Sequence, residues 1–261
     1  THGIVTSITL SLRRQPEKRR FSAWYAPDMT AGFRAQREIV QQDWRPPVMR
    51  QYDASEVARL FPDYVREEHC LILLVHEGPA VRVEAELKAV QDVMTSLGLE
   101  AADALAVEGW MNHRNSVPEW RDLLEQGLIA DTIEVSGTWT QIDAIFEAVV
   151  AALKTVPDCV NASAHSSHVY RSGINLYFTF ACMPEDAATM GDRYLESWDR
   201  ALSATAQAGG GIAHHHGSGR LRRDYLHHDL GVTGIDLLRT LKHAIDPKGI
   251  LNPGNLLPPR D

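Results

Sequence analysis

Cysteine is scarce in this sequence, with three residues among 261. Cys70, Cys159 and Cys182 lie in separate apolar stretches, and no two of them have the C-x-x-C spacing of zinc or redox motifs. Buried free thiols are the state that this arrangement favours. Because free thiols persist in a reducing compartment, the sequence predicts a cytoplasmic protein.

Long apolar runs and an excess of positive charge are also absent. No run approaches the roughly 18 consecutive apolar residues that span a bilayer. The formal net charge is −8, which argues against nucleic acid as a partner. The hydrophobic content of 44% and the length fit a globular protein of one large or two small domains.

Phosphate-binding loops are missing as well. No G-x-G-x-x-G or Walker sequence occurs. The run Gly209–Gly211 precedes a strand-like stretch rather than a helix, so it does not predict a phosphate cradle. The chain therefore offers no sequence motif of its own for a dinucleotide.

The most distinctive feature that is present is the triple histidine His214–His216, which lies between two glycine-rich segments. Residues 212–216 predict a short strand, in which alternate rings would face opposite ways. Neutral imidazole is the side chain best suited to move protons near neutral pH. The segment is therefore a candidate catalytic site.

The hydrophobic periodicity predicts an α+β fold with helices packed on one face of an antiparallel sheet. The order β-α-β-β-α-β is visible twice, imperfectly. Residues 103–127 predict short, irregular helices. Strands are predicted over 3–13, 20–26, 46–52, 69–76, 129–136, 158–169 and 173–182. Helices are predicted over 29–42 (capped by Asp28), 53–60, 79–97, 139–155, 184–208 and 232–245.

Three segments carry a resemblance to a known family: Gly3-Ile4-Val5-Thr6, the run His214–Gly219 and the tail Asp246–Gly254. Together they resemble the FAD-linked oxidases of the vanillyl-alcohol oxidase superfamily, and within it the alkyldihydroxyacetonephosphate synthases. The resemblance implies a ferredoxin-like cap domain, with an antiparallel sheet covered by helices, beside the C-terminal edge of a flavin-binding domain. It also implies FAD as the cofactor.

The same resemblance implies a division of the chain. Residues 1–17 would end a flavin-binding domain whose bulk lies upstream of Thr1. Residues 18–208 would form the substrate, or cap, domain. Residues 209–261 would carry the histidine motif and a helical tail that returns to the flavin.

Site residues follow from the resemblance at matching positions. Arg50 matches the arginine that binds the substrate phosphate, and Arg121 a second active-site arginine, although the spacing after it differs. The catalytic residues would be Tyr177, His216, His215 and His214. The residues beside the cofactor would be Gly3, Ile4, His214 and His215.

Structural roles remain open for the same side chains. Arg50 could form an ion pair with Asp53, and Arg121 could pair with Asp122 or Glu125. The strand alternation places Tyr177 and Thr179 on one face, where the tyrosine could be a core residue with a bonded hydroxyl. A guanidinium nevertheless fits phosphate oxygens well, and a tyrosine–histidine pair suits acid–base catalysis.

The activity implied by the resemblance is the exchange of the acyl group of acyl-dihydroxyacetone phosphate for a fatty alcohol, without net redox turnover of FAD. Homodimers are common in this family, and a lipid substrate would be compatible with contact with a membrane surface. Two other functions stay open: an FAD-dependent 2-hydroxy-acid dehydrogenase, acting on D-lactate or glycolate, and a non-catalytic ligand-binding domain.

A metal site is not predicted. The hydroxy-acid dehydrogenases commonly carry His-x-Gly-Asp-Gly-Asn-x-His, which His168, Gly173 and Asn175 echo here, but Tyr177 replaces the second histidine. A cluster of His165 and His168 with the triple histidine remains the alternative, since such clusters attract divalent ions, but neither a carboxylate nor a cysteine joins it at a recognisable spacing.

Overall fold

The computed structural model describes residues 1–258, and one antiparallel sheet of seven strands organises them. The strand order across the sheet is β4-β1-β3-β2-β6-β7-β5. The strands are β1 (Lys18–Ala26), β2 (Val48–Tyr52), β3 (Cys70–Gly78), β4 (Glu100–Ala102), β5 (Ile129–Thr138), β6 (Cys159–Val169) and β7 (Gly173–Cys182). The predicted α+β class with an antiparallel sheet is confirmed.

Eight α-helices accompany the sheet within the described residues. The predicted irregular region contains two short ones, and the last helix is kinked at Gly231, where φ is 65°. The helices are α1 (Met29–Gln41), α2 (Ala54–Leu60), α3 (Ala80–Ser96), α4 (Leu105–His113), α5 (Trp120–Glu125), α6 (Ile142–Lys154), α7 (Met190–Gln207) and α8 (Leu226–Ile245).

The sheet consists of two ferredoxin-like halves joined edge to edge. In the first half β4-β1-β3-β2 has the 4-1-3-2 order of a β-α-β-β-α-β unit. The second half repeats this order through β5, β6 and β7, and an isolated bridge from Ser136 to Gly211 takes the place of its fourth strand. The halves meet where Gln51 pairs with Ser166 and Tyr52 pairs with His165. The repeated β-α-β-β-α-β order predicted from the sequence is thus present.

Helices cover one face of the sheet completely and the other face only in part. On the first face α1, α3, α6 and α7 pack against both halves and form the larger core. On the second face α2 and α4 cover the first half, around Tyr52, Leu71 and Leu73, and α2 also reaches the second half through the buried Glu56. The prediction of helices on a single face was therefore incomplete. Polar side chains of β6, β7 and β5 line the rest of this second face.

Two predicted strands are absent. Residues 3–13 form neither strand nor helix and are exposed, because none of the described residues offers their backbone a partner strand. Residues 212–216 are bends and irregular backbone, and pairing in this region stops at Gly211. Positive φ values at Gly209 (77°) and Gly217 (74°) turn the chain on either side of the histidines, so the rings do not alternate between faces.

The C-terminal tail is organised around the buried carboxylate of Asp246. It accepts hydrogen bonds from the backbone amides of Ile250 (3.0 Å) and Leu251 (2.8 Å) and from Nζ of Lys242 (2.6 Å). Lys242 also donates to the backbone oxygen of Thr1 at 2.7 Å. The hydrogen bond from Lys242 and these amides lower the pKa of Asp246 to about 2. The tail motif therefore connects both ends of the described chain.

Two smaller predictions can be assessed on the same structure. The three cysteines are free; Cys70 and Cys182 are buried, as expected, whereas Cys159 is only half-buried. From Thr1 to residue 258, no helix has both the length and the apolar character to cross a membrane. The domain boundaries at 17/18 and 208/209 stay predictions.

Candidate active site

A row of polar side chains crosses the second face of the sheet. Tyr52 on β2 pairs with His165 on β6, His165 pairs with Tyr177 on β7, and Tyr177 pairs with Glu134 on β5. Paired residues of an antiparallel sheet project from the same face. Register alone therefore brings two tyrosines, a histidine and a glutamate into one line.

Glu134 anchors the triple histidine at the end of this row. Its carboxylate is fully buried and accepts hydrogen bonds from the backbone amides of His215 (3.1 Å) and His216 (3.0 Å). It also accepts from Nδ2 of Asn175 at 2.9 Å and lies 2.5 Å from Nδ1 of His215. This carboxylate, and not strand pairing, fixes the orientation of the histidines.

The ionisation of Glu134 reflects these bonds. Burial raises the pKa of Glu134, but the hydrogen bonds from Asn175 and from the backbone amides of His216 and His215 outweigh burial and lower the pKa to about 2. The group is therefore a carboxylate at neutral pH and can only accept hydrogen bonds. Nδ1 of His214 and Nδ1 of His215 both lie beside this carboxylate and 2.9 Å from each other, so at least one of them donates to it. A proton on Nδ1 of His215 would leave Nε2 of that ring as an acceptor.

Tyr177 completes a chain of hydrogen bonds with these groups. Its hydroxyl lies 3.1 Å from Nε2 of His215 and 3.4 Å from Nε2 of His216. Burial, and then the charge of Glu134, raise the pKa of Tyr177, so the phenol stays protonated and donates. Burial lowers the pKa of His216. The geometry gives a phenol–imidazole–carboxylate relay that can carry a proton.

Arg50 lies at the opposite end of the row, in a pocket of about 450 Å³. Its Nε donates to the hydroxyl of Tyr52 at 2.8 Å, and its guanidinium lies 5.4 Å from the ring centre of Trp110. Within residues 1–258 it has no carboxylate partner at ion-pair distance. Asp53 instead accepts from the amides of Glu56 (2.8 Å) and Ala164 (2.6 Å). The alternative of an Arg50–Asp53 ion pair is therefore wrong.

His165 connects the two ends of the row. Its ring stacks on Tyr177, with centroids 4.9 Å apart and planes inclined by 10°, and on Tyr52 at 5.1 Å and 28°. Nδ1 lies 2.7 Å from the buried carboxylate of Glu56. Glu56 and Glu134 were both missed from the sequence, because Glu134 joins the site through strand pairing and Glu56 through the packing of α2 on the sheet, and both contacts are non-local.

Imidazoles and a carboxylate also converge closely enough to hold a cation. One group comprises His168, His214 and His215, and another comprises Glu134, His215 and His216, with ligand atoms within 4.8 Å of one another. His165 belongs to neither group, since its Nδ1 faces Glu56. The prediction that the site uses no metal stays a prediction.

Three predicted site residues lie outside this row. Arg121 is exposed on α5 and has no hydrogen bond or ion pair with the row in the described part of the chain. Gly3 and Ile4 are exposed in the N-terminal segment. Their roles toward substrate and flavin stay predictions, whereas Arg50, Tyr177 and the triple histidine do share one face.

Comparison with known proteins assigns the family. Residues 15–256 match the family of FAD linked oxidases, C-terminal domain, and the chain belongs to this family. The resemblance drawn from the sequence is thus confirmed, and FAD is the cofactor of the family.

Curated relatives carry several different names. The chain is 29% identical over 271 residues to an uncharacterized FAD-linked oxidoreductase, YgcU, of Escherichia coli (strain K12), covering 97% of the chain and 55% of that protein. It is 26% identical over 285 residues to alkyldihydroxyacetonephosphate synthase of Trypanosoma brucei brucei, covering 98% and 46%. It is 22% identical over 271 residues to glycolate oxidase subunit GlcD of Bacillus subtilis (strain 168), covering 98% and 54%. The chain spans about half the length of these relatives.

A solved structure supports the fold. An alkyldihydroxyacetonephosphate synthase superposes with a TM-score of 0.67 at 21% identity, covering 92% of this chain and 45% of that one. The identity is low, so this likeness concerns the architecture alone.

Proposed function

We propose that the chain is the substrate-binding half of an FAD-dependent enzyme that exchanges the acyl group of an acyl-dihydroxyacetone phosphate for a fatty alcohol. One observation carries the proposal: an arginine that has no carboxylate partner among residues 1–258 and a tyrosine–histidine–glutamate relay occupy the two ends of one row. A ketone phosphate needs a site for its phosphate and a group that moves protons near its carbonyl. The row offers both.

Arg50 would hold the phosphate. Its planar guanidinium suits phosphate oxygens, and its hydrogen bond to Tyr52 fixes its direction. The pocket also contains apolar side chains, among them Leu60 and Phe61, beside the charge. A substrate with an anionic group and an alkyl chain matches this combination better than a small, uniformly polar acid does.

Tyr177 and His215 would carry the proton transfers. The phenol can give a proton to the leaving carboxylate, and the phenolate can then take the proton of the incoming alcohol, directly or through Nε2 of His215. His216, whose Nε2 also contacts the phenol, would serve as the second partner. His214 would support the pair through its contact with Nδ1 of His215 at 2.9 Å.

The residues fit the ring system of FAD but not its diphosphate. The side chains of His215 and His216 are 44% and 39% exposed, so a flat ring system could lie against them. The chain has no phosphate-binding loop, so a flavin-binding domain would have to hold the rest of the cofactor. When bound, FAD would supply the electrophilic chemistry that side chains lack.

Further parts of the proposal concern segments outside the row. Residues 1–17 with Gly3 and Ile4, and residues 209–261, of which 259–261 lie outside the described residues, would border the flavin-binding domain. Residues 18–208 would form the cap. Exposed apolar side chains on α8, including Val232, Leu237 and Leu241, would suit packing against that domain, a homodimer partner or a membrane surface.

A second candidate is oxidation of a 2-hydroxy acid, which the similarity to a glycolate oxidase subunit favours. Arg50 would then bind a carboxylate, and the histidines would accept the hydroxyl proton. A non-catalytic ligand-binding domain is the third candidate, for which the absence of a dinucleotide motif is the supporting observation.

One experiment separates the three. The full-length protein that contains this chain is purified, and its flavin absorption is recorded during addition of D-lactate, glycolate and palmitoyl-dihydroxyacetone phosphate. We expect a spectral change with the acyl ketone phosphate alone, and its loss in Arg50→Ala and Tyr177→Phe. Bleaching by a hydroxy acid would establish the dehydrogenase, and a preparation that takes up no flavin would favour the binding domain.

A further inference from the structure

His165 and Glu56 form a second carboxylate–imidazole pair, separate from the triple histidine. Glu56 lies on α2 and is fully buried. Its carboxylate accepts hydrogen bonds from Nδ1 of His165 (2.7 Å) and from the hydroxyl of Thr179 (2.5 Å). Arg59 lies 3.5 Å from it. The contacts from His165 and Thr179 fix the carboxylate in one position, and the carboxylate in turn fixes the imidazole.

The other nitrogen of this ring is left open. In the described part of the chain, Nε2 of His165 has no hydrogen-bond partner, and the ring forms part of the wall of the pocket that contains Arg50. Because the carboxylate can only accept, Nδ1 carries the proton, and Nε2 presents a lone pair. An oriented neutral imidazole with a free lone pair beside an anion-binding side chain is the arrangement of a general base.

A second buried histidine–carboxylate pair in the same fold shows what a purely structural pair looks like. His76 is fully buried and has both nitrogens occupied, with Nδ1 3.0 Å from Glu86 and Nε2 3.0 Å from the hydroxyl of Ser22. We call this a closed pair, because neither ring nitrogen is free; it connects β1, β3 and α3. His165 has the same carboxylate contact but lacks the second one, so packing alone does not account for its free nitrogen.

We propose that His165, held by Glu56, is the acid–base group that takes a proton from the substrate anchored by Arg50. This inference rests on the proposed function. A C–H bond next to the substrate carbonyl breaks, its proton moves to Nε2, and its electron pair stays on the substrate. The resulting imidazolium is stabilised by Glu56 through Nδ1, and the same nitrogen later returns the proton.

The division of labour between the two imidazoles follows from their positions around Tyr177. His165 stacks on the face of the phenol, whereas His215 contacts its hydroxyl. The exchange reaction needs a proton removed at carbon and others moved at oxygen. His165 would remove the proton from the substrate carbon at the Arg50 end, and the relay through Tyr177 would move protons to and from the substrate oxygens.

The charges around His165 set the pH at which it acts. Burial lowers the pKa of His165, while the carboxylate of Glu56 opposes this shift and the charge of Arg50 adds to it. The ring is therefore uncharged at neutral pH and can accept a proton. The titratable and charged groups that face it are Glu56 and Arg59 from α2, Arg50 and Tyr52 from β2, and Tyr177 from β7.

The first test reads the proton position directly. In the ¹⁵N-histidine-labelled full-length protein, NMR should show His165 protonated on Nδ1, with Nε2 shifting when dihydroxyacetone phosphate is added. A proton on Nε2, or an Nε2 signal that dihydroxyacetone phosphate leaves unchanged while signals of the Arg50 pocket move, overturns the inference. This readout does not depend on turnover.

The second test uses the flavin-loaded enzyme with palmitoyl-dihydroxyacetone phosphate and a fatty alcohol. His165→Asn should lower kcat by about 10²-fold or more and leave KM unchanged, since the phosphate contact remains. Glu56→Gln should lower kcat less and move the acid limb of the pH profile to lower pH, because the carboxylate no longer raises the pKa of the ring.

Glu86→Gln is the matched control, since it removes the charge from the closed pair. It should reduce stability without changing the pH profile. If His165→Asn keeps the wild-type kcat while the enzyme turns over this substrate, the inference is wrong and the proposed function stands. If the wild-type enzyme is inactive on the substrate, the proposed function fails, and the NMR result alone decides the role of His165.

Discussion

Glu134 lies directly opposite Tyr177 in the β5–β7 pair, and its carboxylate accepts hydrogen bonds from the backbone amides of His215 and His216. One register point therefore positions the phenol and the segment that carries the imidazoles. A shift of one residue in this pair would turn Glu134 to the opposite face and leave the two amides without a partner.

Glu134→Gln should lower the free energy of unfolding by an amount that depends on pH. The folded-state pKa of Glu134 is lowered to about 2 from an ordinary 4.5. The charge therefore contributes stability above about pH 4.5, and this contribution is lost as the pH falls toward 2. We expect the wild type to lose stability over this range relative to the variant, measured by urea unfolding at successive pH values. Parallel curves for the two proteins would contradict the assignment.

Tyr177→Phe should separate catalysis from stability. The variant keeps the ring that stacks on His165 and loses only the hydroxyl that contacts His215. We expect turnover to fall by about 10²-fold or more, with a change of about 1 kcal/mol or less in the free energy of unfolding. Tyr25→Phe, which removes a hydroxyl bonded to the backbone oxygen of Tyr64, is the control and should leave turnover unchanged.

Local sequence patterns predicted the elements that depend on neighbouring residues. The alternation in β7 placed Tyr177 and Thr179 on one face, and Asp28 was predicted to cap α1, where its side chain accepts from Ala31 at 2.7 Å. The repeated β-α-β-β-α-β order was also visible. These features follow from side-chain period and capping, which a single sequence contains.

The partners of the site residues could not be predicted in the same way. Glu134 occurs in Thr-Ile-Glu-Val-Ser, where a lone glutamate in an alternating strand resembles a solvent-facing residue. Glu56 meets His165 across 109 residues of sequence. The bend at residues 212–216 forms because Glu134 takes the amides that a strand partner would otherwise bind. Each of these facts depends on non-local register.

Arg50→Lys tests the anion pocket. Lysine keeps the charge but lacks the planar fork, and it cannot repeat the Nε contact to the hydroxyl of Tyr52. We expect KM for a ketone phosphate to rise about 10- to 100-fold, with kcat nearly unchanged. Steady-state kinetics would measure both constants. Arg37→Lys, an exposed position on α1, is the matched control, and an equal rise in KM there would refute a specific contact.

Gly173→Ala tests the close approach of β7 to β5, the two strands that position Tyr177 and Glu134. A Cβ at this position would lie 2.1 Å from the backbone oxygen of Gly137, so β5 and β7 could not keep their spacing. We expect destabilisation of about 1–3 kcal/mol, measured by chemical unfolding. Gly191→Ala on α7 meets nothing within 4 Å and should be neutral or slightly stabilising. Equal effects in the two variants would show that the close approach carries no strain.

Metal chelation tests the role of the converging imidazoles. Glu134, His215 and His216 could hold a divalent cation, but a bound ion would occupy the nitrogens that face Tyr177. If these nitrogens move protons, EDTA should leave turnover unchanged, and added Zn²⁺ should inhibit in proportion to its occupancy of the site. Metal analysis of the purified protein alongside turnover assays would measure both effects. Activity that EDTA abolishes and a single cation restores would mean that the triple histidine is a metal centre, and the proton relay would have to be abandoned.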